Sequence, residues 1–142
     1  MEYKRFGDTV IARLDRGEEL LEQLQRIAEA EQIKLAEVSG LGAVNDITVG
    51  VFRTAEKQYQ ANRFAGDLEI VSLTGTVTTM DGKFYAHLHM SAGDEQGHVF
   101  GGHLNRAAIS ATCELVIRVI PGEVDRQFDP VVGLNLLSFP ET

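Results

Sequence analysis

The sequence predicts an α+β fold: a mainly antiparallel sheet packed with one long helix. Three observations point there. Between Ile109 and Val119 the odd positions are Ile109, Ala111, Cys113, Leu115, Ile117 and Val119, while the even ones include Ser110, Thr112, Glu114 and Arg118. That period of two marks a strand with one face in a core. The period recurs from Phe84 to Ser91, with Phe84, Ala86, Leu88 and Met90 on one face and Tyr85, His87, His89 and Ser91 on the other. Helical spacing is confined to one long stretch, about Gly17 to Glu31. There Leu20, Leu21, Leu24, Ile27 and Ala28 follow i, i+1, i+4, i+7, i+8.

In chain order, Ile11 to Leu14 reads as the end of a first strand. Asp15 and Glu18 then stand as a capping box for the helix. Ile47, Val49 and Val51 alternate as a strand does, and Leu68 to Thr79 is rich in β-branched residues. Pro121–Gly122 and Asp129–Pro130 bracket a polar loop, and Val131 to Phe139 is an apolar closing strand. With 142 residues, no repeat and no linker, residues 1–142 read as one domain.

Composition narrows the partners. The net charge is −8, and the 13 lysines and arginines are scattered, with Lys4–Arg5 the only adjacent pair. Nucleic-acid binders ordinarily show a basic patch, because phosphate contacts supply much of their affinity. DNA is therefore disfavoured, although a patch assembled by folding or oligomerisation would escape this argument. The single cysteine, Cys113, excludes an internal disulfide and reads as a small buried residue. The start, MEYKRFGDTVIARL, has no apolar signal core, and no apolar run approaches the roughly 18 residues a membrane helix needs. The expectation is a soluble cytoplasmic protein without membrane contact.

All four histidines, His87, His89, His98 and His103, fall in the stretch YAHLHMSAGDEQGHVFGGHL. On a strand, His87 and His89 share a face, about 6.6–6.8 Å apart. Gly93 and Gly97 flank Asp94, Glu95 and Gln96, which reads as a hairpin loop. A loop centred on Glu95 pairs His87 with His103 and His89 with Gly101. His87, His89 and His103 then form one cluster, with His98 on the other face near the turn. Gly101 and Gly102 leave room beside His89. A one-residue slip would pair His87 with Leu104 and scatter the cluster.

A His-x-His pair alone is ordinarily solvated or hydrogen-bonded; the third histidine at a matched position points to a metal. Three neutral imidazoles leave a coordination position open on zinc, the first choice, or on iron or nickel. That position could activate water or hold a small-molecule ligand. Asp94 or Glu69 could support the site or add a fourth ligand. No nucleophile or proton-transfer pair is evident, Ser91 beside His89 included, so catalysis stays open.

His-x-His followed by Glu95 and a later glycine is similar to the first cupin motif, which would make the chain a cupin-like metal-dependent enzyme. Glu95 sits too far from His89, however, and no histidine follows His103 to serve the second cupin motif. The helix opening GEELLEQL, then VSGLGAVNDITVG, GDLEIVSLTGTV, HLHMSAGDEQGHVFGGHL and GLNLLSF together resemble the PPC (plant and prokaryote conserved) domain family, in the stand-alone prokaryotic form. The resemblance covers nearly the whole chain. It implies a small α+β fold assembled as a homotrimer, with His87, His89 and His103 as metal ligands. Family members are often labelled DNA-binding, after plant proteins in which AT-hooks accompany the domain. The Arg-Gly-Arg core of an AT-hook is missing here. A trimeric scaffold for partners is a third reading.

Overall fold

The computed structural model describes residues 1–139. Along them run β1 (Glu2–Phe6), β2 (Thr9–Asp15), α1 (Leu20–Ala30), β3 (Ala36–Arg53), β4 (Gln58–Met80), β5 (Lys83–Gly93), β6 (Val99–Val119), β7 (Asp125–Asp129) and β8 (Leu134–Ser138). Six strands form an antiparallel sheet in the order β1-β2-β6-β3-β4-β5, and β5 also pairs with β6. The last pairing joins β3, β4, β5 and β6 into a closed ring. Closure removes the open edges that a sheet would otherwise expose. β7 and β8 form a separate hairpin.

Three of these strands are long, 18 residues in β3, 23 in β4 and 21 in β6. Strands of that length close a ring only by bending, and bulges supply the bends. Register shifts fall between Gly40 and Gly42, between Val44 and Asp46, and between Ile70 and Ser72. Gly42 has φ +151°, and a Cβ there would lie 2.4 Å from the Thr112 carbonyl. Only glycine permits that crossing of β3 against β6.

The core fills the inner face of the sheet. Val10, Leu14, Val38, Val44, Ile47, Leu88, Met90, Leu115 and Ile117 are all buried there. α1 adds Leu20, Leu24 and Ile27, each 0% exposed, and packs against β5 and β6. The expected alternation in Ile109–Val119 holds at Ile109, Cys113, Leu115 and Ile117, all buried, and breaks at Ala111, which is exposed. The break lies where β6 shifts register against β3 between Gly42 and Val44.

Several boundaries differ from expectation. The helix covers 11 residues rather than the stretch from Gly17 to Glu31. Gly17 has φ +88° and donates to the Ile109 carbonyl, while Glu18 accepts from the Ile109 amide, so both residues are spent on β6. The capping box is half present: Glu18 Oε2 accepts from the Asp15 amide at 2.7 Å. The residue that caps the helix is Glu19, which accepts from the Glu22 amide at 2.9 Å. Its other carboxylate oxygen accepts from the Ala107 amide at 2.9 Å, which ties the helix start to β6. The first strand is a hairpin, β1 and β2, turning at Gly7. The loop after Pro121 contains β7, and the closing strand is shortened to β8 because Asp129 Oδ1 gathers the amides of Val131 and Val132 into a turn. Residues 140–142 of the expected domain lie outside the described residues.

Candidate metal centre

β5 and β6 carry the histidines. Leu88 and Met90 point into the core, so His87 and His89 stand on the opposite face of the same strand. The observed register pairs His89 with His103, Met90 with Gly102 and Ser91 with Gly101. This corrects the expected pairing of His87 with His103 by two residues. The reason is the turn. Asp94 donates to the His98 carbonyl and accepts from the Gly97 amide, and its Oδ1 accepts from the amides of Gln96 and His98. The loop therefore includes His98 and is centred on Gln96. A shift of two preserves the face of every side chain, so the cluster survives the correction.

His87, His89 and His103 each present a ring nitrogen, and these atoms lie within 4.8 Å of one another. The ring centroids are 5.2 Å apart for His87–His89, 5.1 Å for His87–His103 and 5.8 Å for His89–His103. Burial lowers the pKa of His87, with further lowering from His103, Arg126 and His89. Burial, then His89, lowers that of His103. Both rings are therefore held neutral at neutral pH, the form that donates to a metal. This donor set suits a borderline divalent ion such as zinc, and one bound there would act as a Lewis acid or activate water.

His98 stays outside the cluster. It is exposed at the turn, its Nδ1 3.2 Å from Asp94 Oδ2. Asp94 is occupied by the turn, and Glu69 pairs with Gly93 at the far end of β5. Neither joins the three imidazoles, contrary to the supporting role weighed for them. The room expected beside His89 is also displaced. Gly101 faces Ser91, where a Cβ would meet the Met90 carbonyl at 2.2 Å, and His103 occupies the place opposite His89.

The structure adds neighbours with no local sequence signal. Gly50 on β3 pairs with His103, and a Cβ on Gly50 would lie 2.5 Å from the Tyr59 hydroxyl. Tyr59 sits edge-on to His103, with centroids 5.9 Å apart, and donates to Asn105 Oδ1 at 2.5 Å. Burial raises the Tyr59 pKa, partly offset by Asn105. Thr76 and Thr74 of β4 lie opposite His87 and His89. Beyond them, Arg126 of β7 covers the Tyr85 ring, its guanidinium carbon 4.7 Å from the centroid.

A closed, mostly antiparallel sheet with one short helix and three histidines on a hairpin defines a PPC-type domain. The chain belongs to the Plants and Prokaryotes Conserved (PCC) domain family, whose model matches residues 1–121. A Bacteroides thetaiotaomicron protein provisionally described as DNA-binding is 28% identical, with a TM-score of 0.94 over 97% of this chain and 96% of that one. A metal-containing protein from Archaeoglobus fulgidus is 34% identical, with a TM-score of 0.88 over 97% of both chains. A PPC protein from Pyrococcus horikoshii is 29% identical, with a TM-score of 0.85 over 99% of this chain and 96% of that one. Among curated proteins, the bifunctional protein GlmU of a Synechococcus strain is 32% identical over 123 residues, 85% of this chain. The chain spans only 18% of that protein's length. Family membership takes the place of the cupin alternative.

Proposed function

We propose that this PPC-domain protein is a homotrimer in which His87, His89 and His103 of each chain hold one divalent metal ion, zinc before iron or nickel. The metal keeps a position open for a small-molecule ligand. The observation that carries this reading is the convergence of three imidazole nitrogens within 4.8 Å on one hairpin. The metal-containing relative from Archaeoglobus fulgidus supports it. The test is elemental analysis of untagged protein beside His87→Ala and His103→Ala. About one metal per chain, lost in both variants, is expected. Absence of metal after reconstitution overturns the reading.

The trimer is supported by the family resemblance and by apolar side chains left on the surface. Leu41, Val71 and Val99 are 57%, 59% and 56% exposed, apolar surface that subunit contacts would cover. Light scattering at the mass of one chain, 15.6 kDa, contradicts it. No helix among the described residues is long and apolar enough to cross a membrane.

A second reading, DNA binding, is favoured by the provisional description of the Bacteroides relative. The net charge of −8 opposes it. A mobility shift at low salt that weakens steeply with added salt would support DNA binding, and no shift at micromolar protein would sink it.

A further inference from the structure

Arg126 is a buried cation with no anionic partner among the described residues. Only 8% of it is exposed, and among the described residues no carboxylate pairs with it. Its contacts are neutral. Nε donates to Thr78 Oγ1 at 2.9 Å and Nη1 to the Asn135 carbonyl at 3.0 Å, while the Tyr85 ring lies beneath. Its Nη2 has no hydrogen-bond partner among the described residues. Taking a guanidinium out of water without a counter-charge is costly. The arginines that do form ion pairs among the described residues are all more exposed, as at Arg63–Asp46.

The position explains what that cost could serve. Thr78 pairs with Tyr85 and Thr76 with His87 on alternate rungs of β4 and β5, with the Val77–Ala86 pair between them. Tyr85 and His87 therefore share a face, about 6.6–6.8 Å apart along the strand. Arg126 is braced on two sides by β4 and by the β7–β8 hairpin, so its fork is fixed before any ligand arrives. A preformed guanidinium fork matches the paired oxygens of a carboxylate or phosphate.

We infer that Arg126 recognises the anionic end of the ligand whose other end meets the three-histidine centre. The ligand carries a carboxylate or phosphate a few bonds from the oxygen that binds the metal. This rests on the metal reading above. Arg126 is a specificity-determining residue here, and the β7–β8 hairpin that delivers it forms one wall of the ligand site.

The test uses zinc-loaded full-length protein and three hydroxamates of similar length. Butanohydroxamate is neutral beyond its metal-binding group, succinohydroxamate ends in a carboxylate, and 3-phosphonopropionohydroxamate ends in a phosphonate. Calorimetry measures each against wild type, Arg126→Gln and Arg126→Lys, with zinc content and thermal melting recorded for every variant. In wild type, at least one charged probe should bind roughly tenfold more tightly than the neutral one, as a charge-assisted contact provides. Which one does distinguishes carboxylate from phosphate. Arg126→Gln should reduce that preference to within about threefold while leaving zinc content and neutral-probe affinity unchanged, and Arg126→Lys should restore part of it. Equal binding of charged and neutral probes in wild type, or a preference that survives Arg126→Gln, overturns the inference and leaves the metal reading standing. Protein that takes up no zinc overturns both. If Arg126→Gln melts early or loses zinc, the wild-type preference and its retention in Arg126→Lys decide the matter.

Discussion

Gly75 offers the most direct link between packing and the histidine cluster. It lies on β4 opposite Leu88, and a Cβ built there would sit 2.0 Å from the His87 carbonyl oxygen and 2.7 Å from the Leu88 Cα. Both neighbours are backbone, so no side chain can swing away. Clearing 3.0 Å from that oxygen requires β5 to move off β4 by about 1 Å, a strain of the overpacking kind that costs roughly 1–3 kcal/mol. The displaced segment includes His87, while His103 is held separately by its pairing with Gly50. Metal sites tolerate distance errors of only about 0.2 Å, so the same displacement should weaken metal binding at least tenfold. The assay is urea unfolding of apo Gly75→Ala together with a chelator competition for zinc. Gly93→Ala on β5 is the control, because the nearest atom its Cβ would meet is Val71 Cγ2 at 3.4 Å, an ordinary contact. Gly75→Ala that unfolds within about 0.5 kcal/mol of wild type and holds zinc equally well would refute the reasoning.

Acidification should destabilise the apo protein. The folded-state pKa values of His87 and His103 are lowered by burial, so the unfolded chain binds more protons than the folded one below the ordinary histidine value of about 6.5. The stability present above that value is lost as the pH falls toward the lowered values. A melting temperature that is flat between pH 7 and 5 in wild type, or that falls equally in His87→Gln/His103→Gln, contradicts this. Burial, then Glu114, raises the Cys113 thiol to about 12. Ellman's reagent at pH 8 should therefore leave native protein unlabelled and label one thiol after unfolding; rapid native labelling contradicts the assignment. Leu115→Ala removes a side chain that is 0% exposed, beside Gly40, and should cost about 2–5 kcal/mol in urea unfolding. A cost below about 1 kcal/mol would mean that the site collapses around the lost atoms.

The strands that alternate cleanly were legible because one face meets the core, as at Cys113, Leu115 and Ile117. The histidine cluster was legible because parity alone decides which residues share a face, and the two-residue error in register left parity intact. The turn itself was misjudged, because the side chain of Asp94 gathers amides as far as His98, and such competition between side chain and ladder is weakly encoded by composition. The helix start was misplaced for a related reason: Gly17 and Glu18 bond to Ile109, a partner far away in sequence. Ring closure through β5 and β6, and the arrival of Tyr59 and Arg126 around the histidines, depend on bulges and on strands distant along the chain. Period and spacing carry no information about such meetings.

The pairing of β5 with β6 sets the order in which this molecule can assemble. Most of the sheet is nonlocal: β3 must find β6 across the whole of β4 and β5, with Ala36 ending beside Val119. Searches of that kind are slow, because loop entropy is lost before any contact rewards it. The three histidines lie instead on a single hairpin, closed by its own turn at Asp94, and hairpins form in about 1–10 μs. A zinc ion captured at that early stage would fix the hairpin register, and with it the side of β6 offered to β3, before the slow search begins. Refolding should then be faster with zinc present than with zinc added after folding, and equal rates would show that the ion arrives last. The histidine cluster would in that case also serve as the template on which the 21-residue strand β6 is aligned.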